Sequence, residues 1–157
     1  MRLVAISDTH GRSSIIGRIL SREAEADEVF FLGDVVSDIY DIMPRFPNKN
    51  FHIVRGNCDY FSDSPLFDIV EYKYATVYFT HGHKFSVKSG TNGILEAAKG
   101  VGANIVFYGH THIPSIEYKD GIYLINSGSP AMPRNGSPCY AVVDINESGI
   151  LPTIKCV

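Results

Sequence analysis

The sequence has little of what marks membrane, disulfide-rich and nucleic-acid-binding proteins. No stretch approaches the roughly 18 apolar residues that a membrane span requires, and the first apolar run is too short for a signal peptide. The three cysteines are odd in number and lack CxxC spacing, which argues against a disulfide framework. A net charge of −3 provides no basic face for long nucleic acid. We therefore expect a cytoplasmic protein without membrane or long nucleic-acid partners.

The sequence is also free of low-complexity tracts, internal repeats and interdomain linkers. Residues 1–157 are therefore predicted to form one domain, long enough to bury a sizeable core. The composition, 45% hydrophobic and 20% charged, is that of an ordinary globular protein.

The first part of the chain alternates apolar runs with helical patterns. The predicted elements are a strand at Arg2–Ser7, a helix at Ser14–Ala26, a strand around Val29–Leu32, a short helix at Val36–Met43 and a strand at Phe51–Val54. Ser13 or Ser14 is expected to cap the first helix, and Pro44 to end the second. Strands that alternate with helices predict parallel pairing.

The second part is mostly strands. The predicted strands are Phe67–Tyr72, Tyr74–Thr80, Ile105–Tyr108, Ser115–Lys119, Ile122–Asn126, Tyr140–Ile145 and Ile150–Cys156, with one helix at Asn92–Gly100. Asp120-Gly121 is a strong signal for a two-residue hairpin turn. Strands without intervening helices need a partner face, so we expect an α/β fold in which two sheets form a sandwich flanked by helices.

Five apolar runs each end within a few residues of side chains that can bind a metal. These donors are Asp8, His10, Asp34, Asn57, His81, His110 and His112. The carboxyl ends of parallel strands open into the crevice where α/β folds bind ligands. Asp8-Thr9-His10 and His110-Thr111-His112 each space two donors by two residues, which in extended backbone projects both to one side. Seven donors exceed the need of one ion and predict a two-metal hydrolytic site.

The order of these motifs resembles the calcineurin-like metallophosphoesterase superfamily. The matching motifs are Asp8-x-His10, Gly33-Asp34, Gly56-Asn57, His81 and Gly109-His110-x-His112, and Asn126–Pro130 resembles the small phosphodiesterase branch. The resemblance implies a four-layer αββα sandwich of two mixed sheets flanked by helices, with a binuclear metal centre. The ligand sets it implies are Asp8, His10 and His112 for one ion, Asn57, His81 and His110 for the other, and Asp34 as the bridge.

The expected cofactor is a pair of divalent metal ions. Imidazole and oxygen donors without thiolate suit Mn²⁺, Zn²⁺, Fe²⁺ or Ni²⁺, and we place Mn²⁺ first. Two ions about 3.5–4 Å apart share a hydroxide and clamp the attacked phosphate. The expected activity is hydrolysis of a small phosphodiester by this hydroxide, and the resemblance implies a dimer or tetramer.

One position departs from the family pattern. Many members carry His after the Asn of the third motif, where this chain has Cys58, followed by Asp59. A thiol with an unperturbed pKa of ~8.5 replaces imidazole poorly as a proton donor, which leaves the general acid open. His83 is the candidate for this general acid. The alternatives are that it supports the site indirectly or lies on the surface. Asp34, Asn57 and His83 are thus the candidate catalytic residues.

Three arginines are candidates for binding the substrate phosphate. Arg12, Arg55 and Arg134 each carry a guanidinium that can bind two phosphate oxygens, and each can equally be a surface or structural residue. Asp38 and Asp41 follow the bridging position, and solvent-exposed helix residues are the simpler interpretation of both.

Two alternatives to a phosphodiesterase stay open. A eukaryotic retromer subunit of this small fold works mainly as a non-catalytic scaffold, but its pattern departs at the His of the first motif, whereas His10 is present here. A metallohydrolase that cleaves a bond other than a phosphoester would use the same metals. The complete set of ligands favours the enzyme.

Overall fold

Ten β-strands and three α-helices follow one another along residues 1–157, all of which are described by a computed structural model. In chain order they are β1 Arg2–Ile6, α1 Ser13–Arg22, β2 Glu28–Phe31, α2 Ser37–Tyr40, β3 Asn50–Ile53, β4 Phe67–Tyr72, β5 Ala75–Thr80, α3 Asn92–Gly100, β6 Ile105–Tyr108, β7 Ser115–Lys119, β8 Ile122–Asn126, β9 Cys139–Asn146 and β10 Gly149–Cys156. Short 3₁₀ turns lie at Met43–Arg45 and His83–Phe85. No helix combines the length and apolar character that a membrane crossing needs.

The strands form two mixed sheets of five. The first has the order β10-β9-β1-β2-β3, in which β1, β2 and β3 are parallel and β9 runs antiparallel to both neighbours. The second has the order β4-β5-β6-β8-β7, parallel at its centre and antiparallel at its edges. Asp120 and Gly121 join β7 to β8 with φ values of 52° and 83°, as a two-residue hairpin requires. These pairings confirm the parallel pairing predicted for the first part of the chain, the antiparallel pair of β4 and β5, and the hairpin of β7 and β8.

Three apolar cores separate four layers. Leu3 and Ala5 of β1 point between the sheets, where 14 buried residues pack, whereas Val4 and Ile6 point to the opposite face. That face is covered by α1, and α3 covers the outer face of the second sheet. Because central strands are buried on both faces, they are continuous apolar runs rather than alternating ones. The four-layer sandwich implied by the family resemblance is confirmed.

The first helix differs from the prediction at both ends. It ends at Arg22, four residues before Ala26, because the ammonium of Lys49 binds backbone carbonyls just after it, including that of Glu23 at 3.1 Å. Arg12 occupies the N-cap position and no side chain caps the helix, so neither predicted serine does so. The second helix is also shorter than predicted, since a 3₁₀ turn containing Pro44 follows it.

Candidate metal centre

The seven predicted donors meet at one edge of the sandwich. They follow the carboxyl ends of β1, β2 and β3 in the first sheet and of β5 and β6 in the second. The structure therefore brings together residues more than 100 positions apart, such as His10 and His112. The crevice lies where the α/β topology places ligand sites.

Asp8, His10 and His112 form the first group of donors. The Nε2 atom of His112 lies 3.2 Å from Asp8 Oδ1 and 3.3 Å from His10 Nε2. The Nε2 atom of His10 lies 3.9 Å from the same Asp8 oxygen. The three ligand atoms thus surround one point, as the ligands of a metal ion do.

Asn57, His81 and His110 form the second group. The Nε2 atom of His81 lies 3.2 Å from Asn57 Oδ1 and 3.2 Å from His110 Nδ1. Asp34 Oδ2 lies 3.5 Å from the same His81 nitrogen. One oxygen and two nitrogens of this group therefore lie within reach of a common cation, with a carboxylate beside them.

Hydrogen bonds to backbone carbonyls fix the tautomers of two of these histidines. The Nδ1 atom of His81 lies 2.8 Å from the carbonyl oxygen of Leu32, and that of His112 lies 2.7 Å from the carbonyl oxygen of Met132. Because a carbonyl oxygen only accepts, each Nδ1 carries the hydrogen. In the neutral ring this leaves each Nε2 atom with a free lone pair directed into the crevice, the arrangement that metal-binding histidines adopt.

The buried carboxylate of Asp8 lacks a partner that a cation would supply. Oδ2 accepts a hydrogen bond from the backbone N–H of His110 at 3.0 Å, whereas Oδ1 is buried without a hydrogen bond. Burial opposes ionisation of Asp8, but the neighbouring His112 and His81 outweigh it and lower the pKa of the carboxyl. An unpartnered buried carboxylate oxygen is costly, so the donor set fits a bound metal ion.

Two further histidine pKa values are shifted in this crevice. Burial and then the charge of His81 lower the pKa of His110 to about 4, which keeps its ring neutral at pH 7. The carboxylate of Asp8 raises the pKa of His112. A neutral imidazole is the form that binds a metal, so the shift at His110 favours binding, whereas a cation beside Asp8 would have to displace the proton that this carboxylate favours on His112.

Left-handed backbone conformations concentrate at the proposed ligands. Asp8, His10, Asp34, His110 and His112 have φ values of 59°, 46°, 52°, 67° and 60°. Residues other than glycine rarely adopt these values, and such strain clusters at functional sites. The sequence-based picture of extended Asp-x-His and His-x-His segments is therefore wrong in its geometry. The paired donors converge through tight turns instead.

Asp38 holds the turn that carries the first motif. Its Oδ2 atom accepts hydrogen bonds from the Thr9 hydroxyl at 2.6 Å and from the Gly11 N–H at 2.8 Å. Asp38 is buried, so the sequence-based interpretation as a solvent-exposed residue is wrong, whereas Asp41 is exposed as expected. The reason is that the start of α2 packs against this turn.

Asp59 is the residue that sequence reasoning missed. Its carboxylate accepts hydrogen bonds from the N–H groups of Asp34 at 2.9 Å, Val36 at 2.8 Å and Gly56 at 2.7 Å. It thus joins the backbone of Asp34 to the loop that carries Asn57. A Cβ atom at Gly56 would overlap the Asp34 carboxylate, so only glycine fits there.

Cys58 lies in the crevice, with its Sγ atom within 4.8 Å of ligand atoms of His10 and Asp34, but its thiol is a weak proton donor. Its backbone N–H donates to Asp34 Oδ1 at 2.8 Å. Partial burial, followed by the Asp34 carboxylate, raises the pKa of the thiol to about 11. The thiol is therefore a weaker acid than the imidazole that many family members carry at this position.

His83 lies at the rim of the second group. Its ring centre is 5.4 Å from that of His81 and 6.2 Å from that of His110, and its Nδ1 atom is buried without a partner. Burial, then the charges of His81 and Lys84, lower its pKa and favour the neutral ring. His83 lines a cavity of about 380 Å³ together with Asn57.

The three arginines occupy different positions around the crevice. Arg12 Nη1 donates to the carbonyl of Ala131 at 3.1 Å, and Arg55 Nη1 donates to that of Ser62 at 2.9 Å. Arg134 is exposed and lines a larger cavity of about 860 Å³. Only Arg134 keeps its whole guanidinium free for a ligand.

Comparisons with known proteins agree with this geometry. Phosphodiesterase YfcE of Escherichia coli K12 is 28% identical over 169 residues, which cover 92% of this chain and 88% of that protein. The crystal structure of an uncharacterised protein of Streptococcus pneumoniae TIGR4, titled a predicted phosphoesterase, has a TM-score of 0.82 at 29% identity, with coverages of 98% and 87%. Vps29 of Entamoeba histolytica, crystallised with Zn²⁺, shares the fold with a TM-score of 0.80 at 21% identity, with coverages of 100% and 97%.

The domain model for the calcineurin-like phosphoesterase superfamily matches residues 1–148, nearly the whole chain and every proposed ligand. Metal binding and phosphoester hydrolysis are the properties that this match and the clustered Asp and His residues support. The chain belongs to the calcineurin-like phosphoesterase superfamily.

Proposed function

We propose that the protein is a phosphodiesterase that uses two divalent metal ions to hydrolyse small phosphodiesters. The position of Asp34 supports this most strongly. Its carboxylate lies within 4.8 Å of donor atoms of Asp8 and His81 and, in a second grouping, of His10 and Cys58. A carboxylate has two oxygens and several lone pairs, so one residue can bind two neighbouring cations and reduce their repulsion.

The two groups of donors define the proposed ligand sets. They are Asp8, His10 and His112 for one ion and Asn57, His81 and His110 for the other, with Asp34 shared. Mn²⁺ is the proposed metal, and Zn²⁺, Fe²⁺ and Ni²⁺ suit the same donors. When bound, such a pair polarises a phosphate and lowers the pKa of a water molecule.

The protein's own contribution is to hold these donors before substrate arrives. Asp38 fixes the turn that carries His10, and Asp59 fixes the backbone of Asp34. Preformed donors need no reorganisation during the reaction, which is how electrostatic stabilisation becomes effective. Three proposed ligands, His10, Asn57 and His110, are partly exposed, so a phosphate can approach from solvent.

The surroundings of the centre fit a diester. The small cavity at Asn57 and His83 and the large cavity at Thr111 and Arg134 share no lining residue. A phosphodiester has two organic groups to accommodate, whereas a monoester has one. We propose that His83 contacts the leaving group in the small cavity. Arg12 then binds oxygens of the attacked phosphate, and Arg134 binds phosphate oxygens of the part of the substrate that enters the large cavity.

The scaffold alternative makes a different prediction. Vps29 shares only the fold with this chain, and a metal-binding scaffold would load metal without turnover. A hydrolase for a non-phosphate ester would load metal and turn over other esters alone. With p-nitrophenyl acetate added as a third substrate, one experiment separates all three, because only the hydrolase of non-phosphate esters would cleave the acetate alone.

The test joins metal analysis to a substrate comparison. Mass spectrometry should find about two ions per chain after loading with Mn²⁺, and bis(p-nitrophenyl) phosphate should be hydrolysed faster than p-nitrophenyl phosphate. His110→Ala should lose metal and activity together. His52→Asn is the control for loss of a histidine outside the crevice, because His52 lies within β3 and contacts Glu28. This variant is expected to be less stable but to keep its metal and its activity while folded. Metal without hydrolysis of either ester, or faster monoester hydrolysis, would contradict the proposal.

A further inference from the structure

The large cavity adjoins the candidate metal centre through a short loop. Thr111, which lies between His110 and His112, forms part of its wall. The Thr111 hydroxyl accepts a hydrogen bond from Asn126 Nδ2 at 3.0 Å, and the Arg134 N–H donates to the His112 carbonyl at 3.1 Å. The backbone that positions two proposed ligands therefore also shapes this cavity. A group bound there lies beside a phosphate held at the centre.

The charges around this cavity are predominantly positive. Lys88, Lys119 and Arg134 line it, against the single carboxylate of Glu117. Glu117 is already paired, because Lys119 Nζ lies 2.6 Å from its Oε2 atom. Lys88 and Arg134 form no ion pair or side-chain hydrogen bond within the protein. A chain of net charge −3 thus presents two uncompensated cations beside its reaction centre.

The remaining wall offers both hydroxyl-bearing residues and apolar surface, which suits a hydroxylated spacer such as a sugar. Only four of the sixteen lining residues are hydrophobic, and the apolar surface comes largely from the carbon atoms of polar side chains and backbone. Hydroxyls of Ser86, Ser89 and Ser115 line the cavity, and Ser115 Oγ lies 3.1 Å from the Tyr108 hydroxyl. The volume of about 860 Å³ is within the range of small-molecule sites.

We propose that the large cavity binds the retained group of the substrate and that this group carries a second phosphate, recognised by Lys88 and Arg134. This assignment rests on the proposed phosphodiesterase activity and names its substrate class: phosphodiesters with a further phosphate beyond a sugar-like spacer. The leaving group then occupies the smaller cavity at His83. Ammonium and guanidinium groups bind phosphate oxygens through charge-assisted hydrogen bonds. The cavity therefore selects substrates that carry the second phosphate.

A pair of substrates that differ in one phosphate tests this directly. Thymidine 5′-(p-nitrophenyl phosphate) and its 3′-phosphorylated counterpart release the same p-nitrophenolate. We expect kcat/KM to be about fivefold or more higher for the 3′-phosphorylated compound, mainly through a lower KM. The preference should shrink as salt is added, because partly exposed charges are screened.

Variants then locate the second phosphate. Lys88→Ala should remove most of the preference. Lys84→Ala is the matched variant in the smaller cavity and should preserve it, as should Lys73→Ala on the exposed turn between β4 and β5. If Lys84→Ala removes the preference and Lys88→Ala does not, the retained group and the leaving group of the substrate are assigned to the wrong cavities, and the proposal fails.

A binding measurement makes the proposal independent of turnover. Calorimetry should find that thymidine 3′,5′-bisphosphate binds at least about fivefold more tightly than thymidine 5′-monophosphate, and that Lys88→Ala removes this difference. Equal affinities overturn the proposal even if both esters are hydrolysed, in which case the phosphodiesterase function stands. Tighter binding of the bisphosphate without hydrolysis of either ester supports the cavity and overturns the proposed activity.

Discussion

The Nε2 atoms of His10 and His112 lie 3.3 Å apart although 102 positions separate the residues in the sequence. The Nδ1 atom of His112 donates to the carbonyl of Met132, so its Nε2 atom faces His10 as a bare acceptor. Two imidazole nitrogens at this distance can share one hydrogen or one cation. The unpartnered oxygen of Asp8 beside them favours the cation.

The two histidines of His81-Gly82-His83 should respond differently to removal. His83→Ala is expected to keep its full metal content and to lose activity about 10²–10⁴-fold if His83 protonates the leaving group, most severely for a leaving group of high pKa. His81→Ala should lose metal and activity together, because its Nε2 atom lies among the second group of donors. Metal analysis and kinetics on both variants check this.

The reverse pattern would show that the roles of the two residues are exchanged. Full activity in His83→Ala would make His83 a bystander and leave water as the proton source. Burial lowers the pKa of His83, which favours the neutral ring, and a neutral ring is a poorer source of the proton. The comparison of His83→Ala with His81→Ala is therefore needed to assign the role.

The rate of hydrolysis should depend on how easily the leaving group departs, because Cys58 occupies the position where many family members carry a histidine. A phenolate departs without protonation, whereas an alkoxide needs a proton donor. Aryl phosphodiesters should therefore be hydrolysed faster than dialkyl ones. Cys58→His should raise the dialkyl rate about tenfold or more, with Cys58→Ser as the control that leaves the ratio unchanged. Comparable rates on both ester types in the unsubstituted protein would show that another acid already acts.

Asp59 should be needed for both stability and metal binding. Asp59→Asn replaces one of two carboxylate oxygens that accept from backbone N–H groups by an NH₂ group, which only donates. The expected cost is about 1–3 kcal/mol in the free energy of unfolding. The backbone of Asp34 would lose its anchor and metal content should fall. Urea unfolding of the metal-free protein measures the first effect. Asp63→Asn, an exposed aspartate of the same loop, should change neither quantity.

A carboxylate between the two sheets makes the free energy of unfolding depend on pH. Glu28 Oε2 lies 2.6 Å from His52 Nε2 and accepts a hydrogen bond from the Tyr72 hydroxyl at 2.8 Å, which joins β2 and β3 to β4. Burial opposes ionisation, but bonds from His52, Asn50 and Tyr72 outweigh it and lower the pKa of Glu28. A lowered pKa in the folded state contributes stability above the unfolded pKa of about 4.3, which is lost as pH falls through the folded value.

Glu28→Gln should therefore be less stable than the unsubstituted protein at pH 7, by about 1–3 kcal/mol, and the difference should shrink below pH ~4.3. Urea unfolding of metal-free protein between pH 3 and pH 7 measures this. A difference that stays constant over that range would show that the Glu28 charge is not the cause.

The parts of the site that sequence predicts are those encoded by residue type at strand ends. Each central strand is buried on both faces and is continuously apolar, so its end is visible where a polar donor such as Asp34 or His81 follows. Parallel pairing then places the carboxyl ends of these strands at the same edge of each sheet. This is why the seven donors and the parallel pairing of the first strands could be predicted, whereas the order of the strands in each sheet could not.

The parts that sequence does not predict depend on contacts between distant segments. Lys49 ends α1 by binding carbonyls more than 20 residues earlier, which no local pattern records. Asp59 accepts from the N–H of Asp34, a pairing set by how two loops meet. The left-handed φ of His10 likewise follows from the turn that Asp38 holds rather than from propensity.

The central claim is that Asp34 is shared by two metal ions, and metal stoichiometry tests it most directly. Asp34→Ala and Asn57→Ala should be loaded with Mn²⁺ and analysed side by side with the unsubstituted protein. We predict about two ions per chain for the unsubstituted protein, one for Asn57→Ala and fewer than one for Asp34→Ala, because only Asp34 would contact both ions. Two ions retained in Asp34→Ala would contradict the bridging assignment and with it the binuclear centre.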